Sequence, residues 1–413
     1  MTRAASALLL GAFALTFLDV PWGDERVSDL FLYRTYAADF LDGALPYRDV
    51  SFEYPPLAAP LLALPGLAGT GEGTYRIAFG LRALALALAV VLMSGELSRR
   101  TGGDRRTAML AVAAMPLLTG AMVRTHFDLA PVALMLAALL LLCADRPRAG
   151  FAILGVGVMM KGFPLVVAPV AVAWLVARGE RRAALSGVAA LVLSAGAIAA
   201  VAVMLSPSGA LAALTYHLDR PVQIESSPAS LLLALDAVGV GEVLVVKSHR
   251  SDGLLHAADG PVAALFSVAL LAAIACAGAA AGRGGPPTRR TLVLGSLAAV
   301  VAFAGLGKVL SPQFLIWVVP LTGLALAWRM PALAAAGAAA TVLTLVEFPA
   351  HYGDVVAREP AWLWLVAVRN VLLLAVLALA LRTLLVSPLD ATAGAAARPR
   401  WRGRHPRPRP APR

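Results

Sequence analysis

Apolar residues in this chain come in runs of roughly 17 to 25, one after another from the first residues to about position 386, with short polar turns between them. A run of that length spans a bilayer core when helical, and a helix satisfies its own backbone hydrogen bonds where no water is present. The pattern predicts helices near 4–20, 76–96, 107–123, 128–144, 149–160, 163–178, 183–205, 260–282, 291–307, 313–328, 331–347 and 362–386. The expected fold is therefore all-α, a polytopic membrane bundle of about twelve spans occupying residues 1–386. No small-residue cleavage site follows the first run before Asp19-Val20-Pro21-Trp22, so it is read as a retained span. The run at 149–160 is the shortest. Residues 55–68, "PPLAAPLLALPGLA", are broken by Pro55, Pro56, Pro60 and Pro65, which predicts a re-entrant or interfacial segment rather than a crossing.

Composition fits this picture: 60% of the 413 residues are apolar and 14% charged, against about 25% charged in a water-soluble domain. Cys143 and Cys276 lie inside apolar runs without paired spacing or neighbouring histidines, which excludes disulfide and zinc readings. Much of the net charge of +11 sits in the terminal "RPRWRGRHPRPRPAPR". A Pro- and Arg-rich segment cannot bury a core, so 387–413 is expected to be a disordered basic cytoplasmic tail facing anionic headgroups, not nucleic acid.

Sidedness follows from Lys and Arg in the short loops. With the N-terminus inside, "SRRTGGDRR", "ADRPR", "ARGERR", "RGGPPTRR" and "WRM" all fall on the cytoplasmic side together with the C-terminus. The opposite face then collects the long loops 21–75 and 206–259 with "VRTHFDL", "KGFP", "GKVLSPQF" and "EFPAHYGD". Polar irregular backbone at membrane depth survives where protein covers it or it lines a cavity. The expectation is a cell-membrane protein whose chemistry is extracytoplasmic.

The first outer loop opens with "SDLFLYRTYAADFLDG", where Leu30, Tyr33, Ala37, Phe40 and Leu41 recur at helical spacing. An amphipathic surface helix is predicted, starting at Ser28 or Asp29 and stopping at Gly43. Asp29 is either its N-cap or a carboxylate at the bilayer rim able to take a proton from a hydroxyl. Lys161 in "MMKGFPL" and Lys308 in "GLGKVLSPQF" are costly at membrane depth unless they snorkel or meet an anion. In "VRTHFDL", Arg124 and Asp128 are four apart and able to pair, and His126 is either a proton carrier or a hydrogen-bonded structural residue. "TYHLDRPVQIESSPAS" holds a dense polar set including Tyr216, His217, Arg220, Gln223 and Glu225. The apolar stretch that follows, residues 230–246, is predicted as a helix on the membrane surface. His351, with Glu347 and Asp354, is a secondary base candidate. The outer loops contain no Asp-x-Asp pair, so neither a metal nor another cofactor is expected.

"SDLFLYRTYAADFLDGALPYRDVSFEYPPL" resembles the first outer loop of glycosyltransferase family 87, the polyprenol-phosphate-mannose-dependent mannosyltransferases of the GT-C superfamily. The resemblance rests on Asp29, Tyr33, Gly43, Tyr47 and "EYPPL", and continues through "RTHFDLAPVAL", "MMKGFPLVVAPV", "YHLDRPVQIESSPAS" and "GKVLSPQFLIWVVPL" in the family's order. It implies a GT-C-like bundle with an outward active site, a polyprenyl-phosphate-linked sugar donor, a glycolipid or glycan acceptor and inversion at the anomeric carbon. Asp29 would be the base. Lys161, Arg220, Lys308, His217 and Gln223 would face the donor phosphate. Tyr33, Tyr47, Arg48, Glu53, Tyr54, Arg124, His126, Asp128 and Gln313 would contact acceptor or sugar. A transporter or lipid flippase is the competing class, but it calls for polar residues near the midplane and inverted repeats; no convincing repeat is present, and the polar residues cluster at one surface.

Overall fold

The computed structural model describes residues 2–283 and 287–386. The basic tail of 387–413 lies outside the described residues. The first segments are α1 (Arg3–Leu15), α2 (Leu30–Leu41), α3 (Ala58–Gly66) and α4 (Glu72–Arg100), followed by α5 (Arg105–Ala113), α6 (Met115–Thr119) and α7 (Met122–Thr125). Next come α8 (Leu129–Leu142), α9 (Pro147–Val158), α10 (Val167–Ala177), α11 (Arg181–Leu205), α12 (Pro207–Leu218) and α13 (Ser227–Ala237). The chain closes with α14 (Asp259–Ala281), α15 (Arg289–Leu306), α16 (Leu315–Ala327), α17 (Pro331–Glu347), α18 (Tyr352–Val356) and α19 (Pro360–Val386).

Helices stand at each apolar run, yet among the described residues only α4, α11, α14, α15 and α19 are long and apolar enough to cross a membrane unaided. Several others are half-length: α8 has 14 residues and α9 has 12, rising about 21 and 18 Å against a hydrocarbon core of about 30 Å. The run predicted at 107–123 is divided among α5, α6 and α7, because Pro116 opens one short helix and Gly120, at φ +54, ends it. The half-length helices stop where the polar motifs begin. Asp128 precedes α8, and Lys161 follows α9 by three residues. The Pro312–Phe314 turn leads into α16.

The basic turns do gather at one end of the bundle. Asp104 N donates to Ala327 O (3.1 Å), Arg290 to Trp328 O (2.8 Å), and Arg178 and Arg289 both reach Asp145 (3.1 and 2.8 Å). The long loops occupy the other end. α15 and α16 form the buried centre, whereas α11 buries only Ala184, Gly187 and Ala202.

Two expectations need correction. The fold is not wholly α-helical: β1 (Val222–Gln223), β2 (Leu244–Ser248) and β3 (Ser251–Leu255) form an antiparallel sheet in the order β1-β3-β2. The helix expected over 230–246 stops at Ala237, because Gly239 and Gly241 take φ +78 and +83 and the chain leaves as β2. The β2–β3 turn is made by His249 and Arg250, both with positive φ (52° and 54°), the left-handed pair that matches strand twist in a two-residue hairpin.

α2 forms as predicted, with Asp29 at its N-cap position, and lies against α3 and α4 over a cluster of Tyr33, Tyr36, Phe52, Tyr75, Phe79 and Phe127. The predicted proline-broken segment yields α3, whose preceding Leu57 N bonds to Met159 O at 3.0 Å. That bond ties the first loop to the backbone just before Lys161.

Candidate functional site

Asp29 occupies the cap position without capping: no backbone N–H of α2 bonds its side chain. Its Oδ2 instead accepts from the Tyr33 hydroxyl at 3.0 Å and lies 3.7 Å from His126 Nε2. Its side chain is 36% exposed. This is what a proton acceptor at the mouth of a cleft requires: one fixed donor to orient the carboxylate, and an oxygen open to a substrate hydroxyl.

Behind it, Asp128 is fully buried, and its Oδ1 accepts from both Lys161 Nζ (2.7 Å) and Trp317 Nε1 (2.6 Å), while Oδ2 has no protein partner. The Lys161 ammonium lies 4.8 Å from the Phe127 ring centre and within 6 Å of the Phe314 and Trp317 rings. Such cation–π contacts make a low-dielectric position tolerable for the charge. Trp317 is itself stacked between Phe163 and Phe314, at 4.0 and 3.9 Å. Three consecutive residues therefore join the Asp29 carboxylate to the Lys161 ammonium: His126 faces Asp29, Phe127 packs on Tyr33, Tyr54 and Lys161, and Asp128 holds Lys161.

The expected Arg124–Asp128 pair does not form. α7 ends at Thr125 and His126 is extended (φ −122, ψ 154), so the four-residue spacing no longer places the two side chains on one helix face. Arg124 is buried and bonds Glu25 and Thr16 O, the latter at 2.7 Å, which anchors the start of the first loop.

A second layer comes from the facing loop. Arg250, at the hairpin tip, donates to Glu53 Oε1 (2.8 Å) and to the Tyr36 hydroxyl (2.6 Å), which in turn donates to Glu53 Oε2. Glu53 is thus a buried clasp between the two long loops rather than an open acceptor contact. His217 Nε2 meets Glu53 O at 2.8 Å. Arg220 Nη2 donates to Ser251 Oγ at 2.9 Å, while its Nε is buried with no partner. Burial pulls the Arg220 guanidinium below its usual pKa, opposed by its acidic surroundings, the carboxylates of Asp29 and Glu53 among them. Lys308 Nζ donates to Leu218 O at 2.6 Å, and burial lowers its pKa against the pull of Asp219. Tyr47 donates to Tyr54 O at 2.6 Å, Arg48 forms an exposed pair with Asp49, and Gln313 sits half-buried in the turn beside Phe314.

Two predicted site residues belong to other groups. Gln223 is buried and donates to Glu225 Oε2 at 3.0 Å, in a cluster with Glu347, Arg369 and Asn370. His351 bonds Asp354 at 2.8 Å and stacks on Trp362 at 3.7 Å. Sequence reasoning missed Trp317, Arg250 and Arg369. Arg369 did carry a signal, as a lone charge inside an apolar run; Trp317 and Arg250 carried none.

No curated protein matches the chain. The sequence model of glycosyltransferase family 87 matches residues 52–306, a stretch holding Glu53, Tyr54, His126, Asp128, Lys161, His217 and Arg220, with Asp29 and Lys308 on either side of it. That match covers more than half of the chain, and with it the apolar bundle and its cluster of polar side chains resolve into one assignment: the protein is a membrane glycosyltransferase belonging to glycosyltransferase family 87.

Proposed function

We propose that the protein transfers a hexose, mannose in our reading, from a polyprenyl phosphate to a hydroxyl of a glycolipid or glycan at the extracytoplasmic face, with inversion at the anomeric carbon. The observation that carries this reading is the pairing of a half-open carboxylate, Asp29, with cationic side chains at the same end of the bundle.

In the reaction, the acceptor oxygen bonds to the anomeric carbon as its proton passes to Asp29. The bond from that carbon to the donor phosphate oxygen breaks, its electron pair stays on the phosphate, and polyprenyl phosphate leaves. Arg220, with a buried Nε lacking a partner, and Lys161, fixed by Asp128 in its aromatic surround, are the groups suited to the charge that develops there. Lys308 is the third. Tyr33 holds the base in orientation.

The test is to incubate the purified protein with polyprenyl-phosphate-mannose and a panel of membrane glycolipids, and to read products by mass. A glycolipid heavier by one hexose supports the reading. Turnover with a nucleotide sugar and none with the lipid-linked sugar defeats it, and so does solute uptake into vesicles without any lipid-linked sugar.

A further inference from the structure

At the end of the bundle opposite Asp29 an open cleft of about 520 Å³ lies between α9 and α11, lined by Arg146, Arg148 and Arg182 with Ser186. The two helices run parallel. Gly187 lies on Phe151 and Gly155 on Leu191 and Ser194, contacts too close for any Cβ, so both helices begin at this cleft. α9 ends three residues before Lys161, which puts the cleft one helix length, about 18 Å, from the candidate active site.

The carboxylates nearby are already engaged. Asp145 holds Arg178 and Arg289, and Glu180 holds Arg178. Among the described residues, no ion pair reaches Arg146, Arg148 or Arg182. Three like charges around one concavity repel unless an anion lies between them. Immediately beyond Arg182, the outward face of α11 turns apolar, with Leu185 72%, Val192 59% and Leu193 72% exposed. A soluble anion uses only the arginines, whereas a cationic mouth continuous with an exposed apolar helix face fits a molecule with an anionic head and hydrocarbon chains.

We propose that this cleft binds the headgroup phosphate of an anionic phospholipid, whose acyl chains lie along α11. Guanidinium groups suit phosphate oxygens through paired N–H donors, and each basic side chain near a bilayer surface strengthens anionic-lipid binding about fivefold.

The test uses the purified full chain, delipidated in a neutral detergent, titrated with phosphatidylglycerol or phosphatidylcholine and followed by thermal shift and native mass spectrometry. Wild type is expected to retain phosphatidylglycerol and gain a higher Tm from it than from phosphatidylcholine. Arg148→Gln should bind about fivefold more weakly, and the Arg146→Ser, Arg148→Ser, Arg182→Ser variant about a hundredfold. A charge-matched variant at the same end, Arg105→Ser, Arg106→Ser, Arg329→Ser, should retain wild-type preference. Equal losses in both triple variants, no preference in wild type, or the same Tm gain from millimolar inorganic phosphate would each overturn the proposal. If the triple variant does not fold, unchanged affinity in Arg148→Gln does so alone.

Discussion

His126 Nε2 faces Asp29 Oδ2 across 3.7 Å, and the other ring nitrogen fixes what that contact means. The Thr125 hydroxyl lies 3.0 Å from Ala121 O and 3.1 Å from His126 Nδ1, with one hydrogen for the two acceptors. When Nδ1 accepts from Thr125, the ring hydrogen sits on Nε2 and faces the Asp29 carboxylate, so the ring and the Tyr33 hydroxyl together orient it.

Asp29→Asn is therefore expected to lower turnover by about 10²- to 10⁴-fold while leaving the fold in place. The Tyr33 hydroxyl can donate to the amide oxygen as it does to the carboxylate. Turnover and Tm measured on one preparation check this. Asp29→Asn turnover within threefold of wild type would remove the residue from the mechanism.

Asp128 makes the opposite prediction, a large stability effect. It is fully buried and neutralises Lys161 while accepting from Trp317. Asp128→Ala leaves an uncompensated charge and an unpaired indole N–H, a loss expected at about 3–5 kcal/mol. Replacing both members with apolar residues, Asp128→Leu with Lys161→Met, should recover much of that stability but not the activity. Denaturant unfolding of the two variants decides it, since equal destabilisation in both would show that shape and not charge matters at this position.

The clasp between the long loops should act locally. Arg250 is half-exposed, so its ion pair with Glu53 adds no more than about 1 kcal/mol to global stability. It nevertheless holds the hairpin against Tyr36 and the segment carrying Tyr54. Arg250→Ala is expected to leave Tm nearly unchanged and to speed amide exchange in 44–57 and in the β2–β3 turn. Unchanged exchange in both segments would mean that the hairpin is held by its strands alone.

These relationships mark how far the sequence was readable. Apolar periodicity located α4, α11, α14, α15, α17 and α19 nearly to their ends, since a helix in lipid is decided by local composition. It also located α2 and placed Asp29 at its start. The start of β2, residues 244–246, was read as the end of a helix because apolar β-branched runs suit either state, and Gly239 and Gly241 decided between them. Glu53 looked open to substrate because its partner, Arg250, is 197 residues away in the chain. Lys161 was recognisable as an ion needing company, yet Asp128 was assigned to Arg124 by helical spacing that the extended His126 cancels.

A second buried polar group gives a pH prediction. Glu225, Glu347 and Arg369 are each 1% exposed, with Asn370 and Gln223 beside them. Arg369 donates to Glu225 O at 2.7 Å, and Gln223 to Glu225 Oε2 at 3.0 Å, leaving Glu225 Oε1 and both Glu347 oxygens without a donor. Burial raises the Glu225 carboxyl well above its ordinary value, and the neighbouring Glu347 adds to the rise, while Arg369 opposes it. Folding thus retains a proton that the unfolded chain releases once the pH passes its ordinary carboxyl range. The contribution to stability is intact below that range and declines as pH rises toward the folded-state value. Tm should accordingly fall in wild type as pH rises above the ordinary carboxyl range, and the slope should flatten in Glu225→Gln, which carries the hydrogen permanently. Arg369→Leu should steepen the fall, because two buried carboxylates would then share no cation. A Tm profile equally steep in wild type and Glu225→Gln would locate the titrating group elsewhere.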